Sequence, residues 1–374
     1  GWTLSYQMGV DAVPVETAVT AQLVRVDTFP HATGMIGGAG GGAARYGYAL
    51  DPRINNTVVA IERLLAQGHR LERATAPLDV GGGPWPPGSV VVRNRSGLDP
   101  TVRALAAELG LDVRGLAVRP GGELREIRRP RIGIYQTYAT EWVDDWTAGE
   151  GWTRFVFDQH GIPHDAIVNS GMRAGNLRAR FDVVLVPDQA VGDIIGGYRA
   201  GRRQFEHPHQ ALPPPEYQGG IGAEGVAALK AFVEQGGTLI LVDRACDLSE
   251  QLGLPVRNVL AGLKREEFFG PGSIVQVAVD STYQLGYGMP ARAAAYFRKS
   301  RAFEVAAPGA RTVVRYTDQN VLMSGWMVGE AHLAGKAAVV EMPLGRGRVV
   351  LLGFSPYFRA QPHGTFKLLF NALY

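Results

Sequence analysis

The chain of 374 residues contains one cysteine, Cys246, in the stretch TLILVDRACDLSEQLG. A thiol between an apolar strand and a helix is where an elbow nucleophile would stand. The sharp turn there pushes the side chain outward and leaves neighbouring N–H groups to form an oxyanion hole. The count from the strand argues against that role. The first residue after TLILV is Asp243, the flanks of Cys246 are Ala245 and Asp247, and no G-x-C-x-G pattern is present. Cys246 is therefore expected inside the following helix as a packed, small residue, with Asp243 on the turn itself. A helix N-terminus lowers a thiol pKa, but Asp247 works against a thiolate. A cysteine hydrolase also needs a base oriented by a third group. Downstream only His332 and His363 are available, and His363, in RAQPHGTF, is followed by Gly364 and Thr365 rather than by a carboxylate.

Other residues with metal or anion chemistry are weaker. His69 and Glu72 match H-x-x-E, but the pair straddles a helix stop and a strand start. His207 and His209, in FEHPHQALPPPEY, stand at i and i+2, which in extended chain points both rings the same way. With Glu206 they could hold a metal, yet a Pro-rich loop is a poor cage, and an exposed loop is expected. The stretch GMIGGAGGGAARYG lacks a Walker lysine and a spaced G-x-G-x-x-G, so it reads as a connector.

The elements that must position these residues follow from periodicity. VETAVTAQLVRVD, residues 15–27, is β-branched and partly alternating, and reads as one strand or two short ones. Two units of strand, helix and strand follow, with apolar residues at three- and four-residue spacing in the helices and Gly68 and Gly110 at their stops. Such alternation implies a parallel sheet. The expected organisation is a connector over residues 1–45, a small α/β domain over 46–118 and a basic, Gly/Pro-punctuated linker over 119–130. A second α/β domain spans 131–374. In it, the runs VVLVP and LILV are apolar on both faces, as in central strands of a helix-covered sheet. The sketch is doubly wound and flavodoxin-like, with a β-rich part over 272–354 that includes a hairpin around GRG. Between the strand VVLVPD and the helix AEGVAALKAFVEQGG lies a long loop, 192–222. It leaves the carboxyl end of a strand, where open sheets bind ligands. Tyr198, Arg202, Arg203, Glu216 and Tyr217 are its candidate ligand-binding residues.

Composition bounds the partners. With 46% hydrophobic residues there is material for large cores, and length favours two or three domains. A net charge of +3 is too small for a surface built to grip nucleic acid. No run approaches the ~18 apolar residues of a membrane span. One cysteine excludes an intrachain disulfide and a multi-thiolate metal site. Oligomeric state is not legible.

The block PPPEYQGGIGAEGVAALKAFVEQGGTLILVD, with the closing LGRGRVVLLGFSPYFRAQPHGTFKLLFNALY, resembles the C-terminal, non-peptidase region of large bacterial zinc carboxypeptidase homologues. In those proteins a peptidase domain precedes a class I glutamine amidotransferase-like module, and the opening GWTLSYQMGV is similar to the sequence just after the peptidase domain. The resemblance implies a secreted or periplasmic parent with zinc in the upstream domain, no cofactor in this chain, and that peptidase domain, with a peptide or protein substrate, as partner. It also implies the amidotransferase fold without its chemistry. Where that fold places its nucleophile, this sequence has Asp243, and the His-x-Glu pair is missing after VVLLGF. The expected function is a non-catalytic accessory module; the alternative is a cysteine-dependent hydrolase or amidotransferase using Cys246 and His363.

Overall fold

The computed structural model describes the chain except residues 1–2, 14, 26, 28–33, 35, 39–43, 82, 138–148 and 198–213. It divides into two compact units, Gly9–Arg128 and Gly1–Met8 with Arg129–Tyr374.

In the first unit, helices α1 (Thr57–Ala66) and α2 (Leu98–Leu109) lie among strands β1 (Ile36–Gly38), β2 (Gly47–Leu50), β3 (Leu71–Ala74), β4 (Val90–Arg93), β5 (Val113–Leu116) and β6 (Leu124–Ile127). The helices form because their apolar residues fall on one stripe: Leu98, Val102, Leu105 and Ala106 are the buried face of α2. That helix stops at Gly110, whose φ of +66° costs nothing without a Cβ.

The sheet order is β1-β5-β2-β4-β3-β6. The parallel sheet expected here is not formed. Only β1 and β5 run parallel, and the other four pairs are antiparallel. Each helix does join two strands of like direction, β2 to β3 and β4 to β5. However, β4 inserts between β2 and β3, so every neighbour on that side is reversed, the split βαβ arrangement. Two segments expected as connectors also belong to this sheet. Ile36–Gly38 pairs with β5, and the stretch read as a linker contributes β6, an edge strand whose solvated Arg125 and Glu126 give it a linker's composition. Conversely, VETAVTAQLVRVD forms no strand among the described residues. Val15, Val19, Leu23 and Val24 are all exposed, because no neighbouring strand offers their backbone a ladder.

In the second unit the strands are β7 (Ile132–Tyr135), β8 (Asp165–Ile167), β9 (Val183–Val186), β10 (Thr238–Val242), β11 (Ser273–Val279), β12 (Arg292–Phe297), β13 (Arg311–Tyr316), β14 (Ala337–Leu344) and β15 (Gly347–Leu352). Its longer helices are α3 (Gly149–Gln159), α4 (Val191–Gly196), α5 (Gly222–Glu234) and α6 (Phe366–Leu373), beside the shorter Leu4–Met8, Asn169–Arg173, Leu177–Arg180 and Leu248–Gln251. One sheet runs β8-β7-β9-β10-β15-β14-β13-β11-β12, with short strands Val256–Asn258, Phe303–Val305 and Leu322–Ser324 alongside. The first five are parallel. The rest are antiparallel. The β-rich part is thus a continuation of the parallel sheet, because β15 closes a hairpin with β14 on one side and runs parallel to β10 on the other. Val184–Val186, Leu239–Val242 and Val349–Leu352 are buried throughout, as a sheet covered on both faces requires.

Candidate functional site

The carboxyl ends of β9, β10 and β15 lie side by side, since Val186 is in register with Leu241 and Val242 with Leu352. Open parallel sheets bind ligands at this end. After β9 come Asp188 and Gln189; after β10, Asp243 opens a 3-10 turn, Asp243–Asp247. After β15 comes the segment GFSPYFRA. The loop following β12 joins them, for Arg301 N donates to Gly353 O at 2.6 Å and the Tyr316 hydroxyl donates to Arg301 O at 2.7 Å.

Backbone strain is concentrated here. Among the described residues other than Gly and Asn, positive φ occurs at Asp243 (+51°), Lys299 (+53°), Arg359 (+52°) and Ala360 (+53°). All four belong to these loops. Residues with a Cβ adopt this region at a cost and keep it only where the surroundings over-determine it, which happens most often at functional sites. Gly149, the first residue of α3, serves the same crowding: a Cβ there would stand 2.7 Å from Asp188 O.

Asp243 is 4% exposed. Ser300 Oγ–H donates to its Oδ2 at 3.0 Å, and its Oδ1 has no hydrogen-bond partner. Burial, and then the neighbouring Asp188 carboxylate, push its pKa well above the ordinary carboxyl value, while Arg301 and Arg244 pull the other way. Two ion pairs frame it. Arg244 Nε meets Asp188 Oδ1 at 2.7 Å with both side chains nearly buried, and Arg301 grips Asp247 at 2.5 Å and 3.1 Å. A carboxyl that keeps its proton in such a place is a hydrogen-bond donor, and a poor nucleophile.

Cys246 is fully buried, its thiol 3.2 Å from Leu241 O and 3.4 Å from Leu352 O. Burial, then Asp243 and Asp247, push the thiol pKa well up. Both hydrogen-bond partners are carbonyl oxygens, so the thiol acts as a structural donor. His363 lies in a 3-10 turn, His363–Thr365, just before α6, stacked on Phe366 at 4.7 Å between ring centroids. Partial burial lowers its pKa.

Of the long loop, Tyr198, Arg202, Arg203, His207 and His209 lie outside the described residues. Its two ends are pinched together where Gly197 and Gly220 cross: a Cβ on Gly197 would stand 2.1 Å from Gly220 N. Tyr217 sits in the turn Pro215–Tyr217, donates to Gln136 Oε1 at 3.2 Å and receives Asn169 Nδ2 on its carbonyl at 2.6 Å. Tyr217 thus docks the loop base on the end of β7, and Glu216 beside it is exposed. In the first unit, Glu72 is bound by Arg93 at 2.9 Å and 2.7 Å across the β3–β4 pair, while His69 is buried. Their H-x-x-E spacing therefore does not place them as a ligand pair. Among the described residues no group of three His, Cys, Asp or Glu side chains is placed to hold a metal, and no helix is long and apolar enough to cross a membrane.

Sequence reasoning singled out Asp243 but missed Gln189, Ser300 and Arg359. For Gln189 the only signal was its place just past a buried strand; for Ser300 and Arg359 there was none, since nothing local places a Ser beside a distant Asp.

Together these features define a mixed α/β protein. No family model matches the chain, and no curated protein matches it. Solved structures are similar. A protein described as ThuA-like from Bacteroides uniformis ATCC 8492 aligns at 12% identity and TM-score 0.36, over 65% of this chain and 89% of that one. One described as part of a GMP synthase, from Thermoplasma acidophilum, aligns at 9% and 0.40, over 66% and 94%. The β-galactosidase of Bacillus circulans sp. alkalophilus aligns at 12% and 0.36, over 65% of this chain and 30% of its own.

Proposed function

We propose that this chain is a glutamine amidotransferase-like module that has lost glutaminase chemistry and serves as the accessory, binding part of a secreted or periplasmic zinc carboxypeptidase-like protein. The observation that carries the reading is the occupant of the turn after β10. Asp243 stands where that fold holds its nucleophile, and the thiol of Cys246 is sealed below it on two carbonyl groups. The order of the five parallel strands, with the second in sequence at the edge and the first beside it, is the flavodoxin-like doubly wound order and supports the assignment. The peptidase parent is supported by the sequence likeness of the closing segment. In that protein the module would act on, or present substrate to, its own upstream peptidase domain, where the zinc would lie.

Two measurements test this. The purified chain should hydrolyse neither glutamine nor peptides above background, and turnover abolished by Cys246→Ser or Asp243→Asn would overturn the non-catalytic assignment. The gene upstream of Gly1 should encode H-x-x-E with a later His; an upstream region without them would remove the peptidase parent.

A further inference from the structure

Two polar atoms at the ends of neighbouring strands are unfilled. Gln189 Nε2, after β9, and Asp243 Oδ1, after β10, are shielded from solvent and have no hydrogen-bond partner. Nearly all buried donors and acceptors in proteins are satisfied, so two unfilled groups following neighbouring strands call for a cause. A third group, Arg359, follows the next strand, β15, in a backbone conformation that a residue with a Cβ adopts only under constraint. The Tyr296 phenol is within electrostatic reach of both Arg359 and Asp243.

The polarity of the three groups selects the ligand. Gln189 Nε2 is a donor. Burial raises the Asp243 pKa, and with Ser300 Oγ–H received on Oδ2 the unpartnered Oδ1 is the atom placed to hold and donate a carboxyl proton. Arg359 is a cation. Two donors and one positive charge match two oxygens and one negative charge. A phosphate would bring a second negative charge, and the nearby Arg244 is already engaged by Asp188.

We propose that the ends of β9, β10 and β15 form a binding site for a small carboxylate, with Gln189 Nε2 and Asp243 Oδ1 donating hydrogen bonds to its oxygens and Arg359 supplying the charge. Asp243 is a binding residue in this site, not a nucleophile. The inference does not depend on the peptidase parent, and it gives the accessory module something to bind.

The test is titration of the full chain at neutral pH with acetate and with benzoate, read by calorimetry, with inorganic phosphate as the comparison. Both carboxylates bind the wild type, and phosphate binds more weakly. Asp243→Asn retains binding, because the amide N–H replaces the carboxyl proton and Asn accepts positive φ readily. Asp243→Gly, which also suits that backbone, weakens binding roughly tenfold, as do Gln189→Ala and Arg359→Asn. Gln189 is only partly buried and its backbone is unstrained, so its variant keeps the test open should a change at Asp243 impair folding. The proposal is overturned if neither carboxylate binds the wild type, if phosphate binds as well as they do, or if Gln189→Ala leaves affinity unchanged. It is equally overturned if Asp243→Asn loses as much as Asp243→Gly, which would make Asp243 an ionised acceptor.

Discussion

Ser300 Oγ donates to Asp243 Oδ2 at 3.0 Å, tying the loop after one antiparallel strand to the turn after the central parallel strand. Both halves of the sheet therefore meet at one carboxyl group. Four consequences can be measured.

Asp243 makes stability depend on pH in an uncommon direction. Its folded-state pKa is raised above the ordinary 3.8, by burial first and by Asp188 second. Between those two values the folded state binds more protons than the unfolded state, so this contribution is fully present below about pH 4 and is lost as pH rises from there. Asp243→Asn carries no such dependence. The facing groups Asp188, Arg244, Asp247 and Arg301 remain in both proteins. Urea unfolding from pH 4 to pH 8 should show the Asn variant gaining steadily on the wild type; a constant difference between them would refute the assignment.

Breaking the buried ion pair should be costly. Arg244 and Asp188 side chains are 12% and 9% exposed. Asp188→Ala removes the carboxylate that Arg244 meets at 2.7 Å and should cost about 3–5 kcal/mol, with recovery when Arg244→Met is added. Arg103→Ala, at a surface pair with Asp99 whose side chains are 59% and 48% exposed, should leave stability nearly unchanged. Denaturant titrations of the four proteins decide it.

The thiol should be silent in the native state. Cys246 is fully buried and its pKa is pushed up, so alkylation at neutral pH should proceed only as fast as the protein opens. Labelling rates should rise in step with denaturant-induced opening. Rapid, stoichiometric labelling of the folded protein would restore Cys246 as a nucleophile.

A buried hydroxyl pair should couple α3 to the segment after β15. The hydroxyls of Thr153 and Tyr357 are 2.7 Å apart and both residues are buried. Tyr357→Phe should cost about 1 kcal/mol, and the double change with Thr153→Val less than the sum of the two. Additive losses would mean the two hydroxyls are independent.

Much of the second unit was legible in the sequence. The runs VVLV and TLILV mark central strands because residues buried on both faces must be apolar at every position. Counting from TLILV placed Asp243 on the turn and Cys246 in the helix after it; the structure keeps Asp243 first after the strand but holds both residues in one 3-10 turn, Asp243–Asp247, ahead of the short helix Leu248–Gln251. These are local properties, fixed by side-chain period and by what a strand end requires. The first sheet was misread for the complementary reason. Strand, helix and strand establish the direction of each strand but not its neighbour, and insertion of β4 between β2 and β3 turned an expected parallel sheet into an antiparallel one.

By itself, then, the sequence determined the central strands of the second unit and denied Cys246 the elbow, because periodicity, strand ends and residue identity are written along the chain. Only the tertiary structure decided that Gln189, Asp243, Ser300 and Arg359 share one end of a sheet, and that burial there raises the Asp243 pKa. Proximity depends on long-range strand pairing, and protonation on burial and on the charge of neighbours far away in the chain.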